Sequence, residues 1–106
     1  MSRTVEKNGY RLDVRVDPNK AAVPNRFALR LSRGGKPVSG ADVTARFAML
    51  DMEMGQQEYR LAPTGPGSYE HSAPALVMVG HWGVSFAVTP PSGPPFDVLV
   101  VDHATG

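Results

Sequence analysis

The chain contains no cysteine. That excludes a disulfide framework, thiolate metal ligands and a cysteine nucleophile, and it leaves the redox compartment open. No apolar run approaches the length of a membrane span, and Met1-Ser2-Arg3 is not followed by the apolar core of a signal peptide. Charge of either sign is also scarce in excess. A net charge of +1, with Lys and Arg scattered along the chain, offers no basic field to a nucleic acid or a membrane surface. No helical period of useful length is present. With 106 residues, 42% of them hydrophobic and 20% charged, the chain has the size and composition of one globular domain, 1–106, with one real core.

Turn formers are abundant. Gly (11) and Pro (10) fall at intervals between short alternating stretches, so they read as turns and not as low complexity. Tyr10, Leu12, Val14 and Val16 share one face of a first strand, with Arg11, Asp13, Arg15 and Asp17 opposite. Phe27, Leu29 and Leu31 mark a second strand, and Val43, Ala45 and Phe47 a third. Tyr59 and Leu61, then Tyr69 and His71, flank the turn Pro63-Thr64-Gly65-Pro66-Gly67. Their spacing predicts a hairpin of 58–62 against 68–72. Leu76-Val77-Met78-Val79-Gly80 is a short apolar approach to the strand of Trp82, Val84, Phe86 and Val88. The turn 90–95 carries four prolines and ends that strand, and Phe96, Val98 and Val100 form the last one. Seven short strands at near-regular spacing predict an all-β, antiparallel sandwich of immunoglobulin-like size, with Trp82 and Phe86 as core anchors.

Enzyme motifs are poor. Gly83-Val84-Ser85-Phe86-Ala87 lacks the last glycine of a nucleophile elbow and sits in mid-strand. Gly65-Pro66-Gly67 precedes no helix, so it is no phosphate loop. Asp51 and Glu53, two apart, read as a solvated face. His71, His81 and His103 lie too far apart for a zinc motif and read singly as surface or capping residues. The chain is expected not to be an enzyme.

The methionines remain. Of five, three crowd into Phe47-Ala48-Met49-Leu50-Asp51-Met52-Glu53-Met54-Gly55, and Met78 stands three residues before His81. Two readings compete: a soft-metal site built from thioethers, or an adaptable apolar plug. If the strand continues past Phe47, Met52 and Met54 share a face and Met49 opposes them. A bend near Leu50-Asp51 would bring all three together, and the sandwich would have to carry Met78 and His81 to the same pole. Such a thioether set with one imidazole suits Cu(I).

As an ordered set, Gly35-Lys36-Pro37-Val38-Ser39-Gly40-Ala41, then Met49 through Met54, then Gly65-Pro66-Gly67-Ser68-Tyr69 and Met78-Val79-Gly80-His81-Trp82 resemble the YtkA-like, FixH-related domain family over about residues 8–102. The resemblance implies an immunoglobulin-like β-sandwich, exported or membrane-tethered in bacteria, beside copper handling or respiratory-oxidase assembly. Relatives often place His within the Met-rich segment, where this chain has Asp51 and Glu53. The expected protein is an extracytoplasmic Cu(I)-handling module. It would lie in the periplasm or on the outer face of the cytoplasmic membrane, tethered by a segment outside this chain. Its ligands would be Met49, Met52, Met54, Met78 and His81, and its partner a membrane-bound copper transporter or oxidase-assembly protein, not a nucleic acid. The alternative is a metal-free interaction sandwich that docks a membrane-protein partner.

Overall fold

Apolar–polar alternation builds the sheets. In the computed structural model, which describes residues 1–52 and 55–106, Tyr10, Leu12, Val14 and Val16 are buried while Arg11, Arg15 and Asp17 on the same strand stay in water. The described residues form β1 (Ser2–Lys7), β2 (Tyr10–Asp17), β3 (Asn25–Arg33), β4 (Lys36–Pro37), β5 (Asp42–Met49), β6 (Gln57–Arg60), β7 (Ala62–Gly65), β8 (Ser68–Ala73), β9 (Gly80–Thr89) and β10 (Phe96–Ala104). One sheet runs β1-β2-β3-β8-β7, with β4 also paired to β3; the other runs β10-β9-β5-β6. Strand pairing within both sheets is antiparallel, and the sheets pack face to face as a sandwich. No helix among the described residues is long and apolar enough to cross a membrane.

The core lies between the sheets. Trp82, Tyr69, Phe27, Phe47 and Phe86 are its largest fully buried side chains. Each such side chain contributes about 1.5–3 kcal/mol by leaving water. Phe27 of one sheet meets Phe47 of the other with ring centroids 4.5 Å apart. The Tyr69 hydroxyl is satisfied inside this apolar setting, because it donates to the Val38 carbonyl (2.7 Å) and accepts from the Ala41 amide (3.1 Å).

The expected hairpin of 58–62 against 68–72 does not form. β6 pairs with β5, whereas β7 pairs with β8 in the opposite sheet. Leu61, 2% exposed, is the crossing point, and its amide still donates to the Val43 carbonyl at 2.9 Å. A single buried side chain thus carries the chain across the sandwich edge, and Pro63 falls on the edge strand β7, where its missing N–H costs no ladder bond. Three strands lie outside the expected seven: β1, the two-residue β4, and β7, which occupies most of the expected turn 63–67. β1 is almost wholly exposed, so it has no apolar face to betray it.

This topology gathers the ends of β2, β5, β8 and β10 and the starts of β3 and β9 at one pole. Asn25, fully buried, locks the 17–25 turn there. Its side chain accepts from the Asn19 and Lys20 amides (2.7 and 3.1 Å) and donates to the Lys20 and Val23 carbonyls (2.8 and 3.0 Å). Further backbone bonds join Ala22 to Leu76 and Ala21 to Thr105, both at 2.7 Å. The loops of the pole are therefore held by hydrogen bonds between elements as well as by the core beneath them.

Candidate functional site: the methionine and histidine pole

β5 ends at Met49, directly opposite Trp82 of β9. Because Val43, Ala45 and Phe47 point inward, Met49 follows the same parity and packs half-buried against the rim of the core. The chain then bends through 50–52. The alternation expected to run on from Phe47 through Met52 therefore stops at Met49, and Met52 is 52% exposed on the bend. Met54, with Glu53, lies outside the described residues.

The bend brings Asp51 back onto β9. The Leu50 amide donates to the His81 carbonyl at 2.8 Å, prolonging the ladder by one step. The next ladder position is filled by a side chain: Asp51 Oδ2 accepts the His81 amide at 2.6 Å. Both Asp51 oxygens also lie 3.2 Å from His81 Nδ1. The His81 amide bond and then the His81 ring bond hold the Asp51 carboxyl below the ordinary aspartate value, with smaller help from the charges of His81 and His103 against a slight desolvation. An ionised carboxylate only accepts, so the contact with His81 Nδ1 requires a proton on that nitrogen, and Nε2 is the ring nitrogen not engaged by Asp51.

Gly80 makes this closeness feasible. Its φ of +149° disfavours other residues, and a Cβ there would meet the Met49 terminal methyl and, at 2.6 Å, Asp51 Oδ2. The thioether end of Met49 and the Asp51 carboxylate therefore both rest against the Gly80 backbone. Met78 is tied in from the other side, because the buried Trp82 indole donates to its carbonyl at 3.1 Å. The Met78 side chain is 40% exposed. Of the five expected ligands, Met49 rests against Gly80 and His81 follows it, whereas the Met78 side chain, two residues before Gly80, and that of Met52 are exposed.

The His81 ring has a further partner, one that reads as a mere surface residue in the sequence. His103 faces it across β9 and β10, with ring centroids 4.6 Å apart and planes at 12°. His71 is elsewhere, stacked on Tyr59 at 4.7 Å. Asp51, read from the sequence as solvated, is exposed and yet fixes the His81 ring. The two omissions have different sources. The turn 90–95 does not disclose its own geometry, so the β9–β10 register that sets His81 opposite His103 was not readable; a bend near Leu50-Asp51 was among the expectations, but not that it returns the Asp51 carboxylate to His81.

Among the described residues no three His, Asp or Glu side chains form a group able to hold a metal ion. Any soft-ion site here must therefore draw on thioethers. The residues fit that demand in kind: neutral sulfur donors, two of them exposed, beside an imidazole with a free nitrogen. A broad surface concavity lies away from this pole, on the outer face of the first sheet, and is lined by Lys7, Tyr10, Arg11, Arg30 and Pro66 among others. None of the expected ligands lines it.

A family model described as YtkA-like matches residues 4–87. No curated protein matches the chain, and no solved structure does.

Proposed function

The chain belongs to the YtkA-like family, and on that footing we propose that it is a non-enzymatic module that holds and passes on Cu(I). The observation that carries the reading is the clustering about Gly80: the Met49 thioether end rests against it, Met78 precedes it by two residues and His81 follows it. Met52 and, from the sequence, Met54 complete the donor set. Thioethers are neutral, so they need no deprotonation to bind, unlike thiolates. Cu(I) is soft and accepts such donors, and their weakness favours release. Exposure of Met52 and Met78 leaves them free to be exchanged, one at a time, for the donors of a receiving protein. That receiver is a membrane-bound copper transporter or an oxidase-assembly protein. The module works outside the cytoplasm, held near the membrane by a segment beyond this chain.

A second reading is favoured by a separate observation. Leu50, Val79, Leu99 and Val101 are all at least half exposed, and the Leu50 and Leu99 side chains approach each other over Gly83. Such an apolar strip suits the docking of a membrane-protein partner without metal. Titration with Cu(I) against a competing chelator separates the two. Replacing Met52 and Met78 together by Leu keeps the apolar surface and removes two sulfurs. The copper reading expects the affinity to fall at least tenfold, whereas an unchanged affinity leaves only the docking reading.

A further inference from the structure

We propose that His81 and His103 form a second site, for a divalent transition ion of the Zn(II) or Cu(II) kind, which has only His81 in common with the thioether set. The two residues stand directly opposite each other on neighbouring antiparallel strands. Side chains so placed have Cβ atoms about 4.5–5.5 Å apart. Two imidazole nitrogens on one tetrahedral ion, each about 2.0–2.1 Å from it, are separated by roughly 3.3 Å. The rings are now stacked at 4.6 Å and 12°, close enough in space to share one ion once their planes turn about the side-chain bonds to converge on it.

Three further features point the same way. Both Asp51 oxygens lie 3.2 Å from His81 Nδ1, so Nε2 is the ring nitrogen left for the ion; a carboxylate behind the ligating imidazole is the usual support of metal-bound histidine. The backbone that carries His103 is tied down: Asn19 Nδ2 donates to Asp102 Oδ1 at 3.0 Å and to the His103 carbonyl at 3.4 Å, and Lys20 bridges to Thr105. On the outer face of β9 and β10 the pair is followed by Gly83, Ser85, Val101 and Leu99, so no Lys or Arg of these two strands stands beside it. The ion's remaining positions go to water or to a donor from a second protein. His103 lies beyond the residues matched by the family model.

The site shares His81 with the thioether set but does not require it, and the test keeps the two apart. The protein is titrated with Zn(II), followed by the ring nitrogen resonances of its histidines, and with Cu(I) against a chelator. One equivalent of Zn(II) is expected to shift His81 and His103 together and to spare His71. His103→Ala should weaken Zn(II) at least tenfold and leave Cu(I) affinity within twofold. Replacing Met52 and Met78 by Leu should leave Zn(II) binding intact whatever it does to Cu(I). Zn(II) affinity unaltered in His103→Ala, or shifts confined to His71, would overturn the proposal.

Discussion

At the scale of single residues, Asp51 does more than any other exposed side chain. It replaces a ladder carbonyl for the His81 amide and orients the His81 ring. Both bonds need the ionised form, so its folded-state titration lies below that of the unfolded chain. The sign comes from linkage: the contribution is fully present above the ordinary aspartate range and disappears as pH falls through the lowered folded value. A carboxyl-carbon NMR titration should place the Asp51 midpoint below the ordinary aspartate value, and Asp51→Asn should remove this share of the acid dependence. A midpoint for Asp51 at the ordinary aspartate value would show the two His81 bonds to be absent in solution. The His81–Asp51–His103 arrangement was the least legible part of the sequence. Each residue alone is an ordinary surface type, and only a bend and a strand register unite them.

At the scale of elements, legibility tracked apolar alternation. β2, β3, β5, β9 and β10 each bury every second side chain and were readable as strands. β1 lacks an apolar face and forms by backbone pairing with β2. Its one local signal is Asn8-Gly9, both at positive φ, which suits a two-residue hairpin turn. The 57–65 segment misled for another reason: Tyr59 and Leu61 have the parity of one continuous strand, and nothing local says that the strand changes sheet at Leu61. Because that side chain is fully enclosed where the sheets meet, Leu61→Ala should destabilise the fold by about 2–5 kcal/mol. Urea unfolding measures this. A loss below roughly 1 kcal/mol, under the usual cost of emptying a core leucine site, would mean that the crossing is held by the β6 and β7 ladders and not by this side chain.

For the whole molecule, the sandwich explains how residues thirty positions apart reach one pole. Antiparallel order alone brings the end of β5 beside the start of β9, and Trp82 fastens the 74–79 approach through the Met78 carbonyl. The methionines and the family pattern were legible in the sequence. The end of the β5 strand at Met49 was not, and it decides that Met52 is exposed while Met49 is half-buried. The proposed work of the pole is to take up Cu(I) where the thioethers are reachable and to surrender it by ligand exchange. X-ray absorption at the copper edge of the Cu(I)-loaded protein tests this most directly. At least two sulfur scatterers are expected in the first shell with one nitrogen, the sulfur signal falling when Met52 and Met78 are both Leu. A first shell of nitrogen and oxygen alone would contradict the Cu(I) proposal.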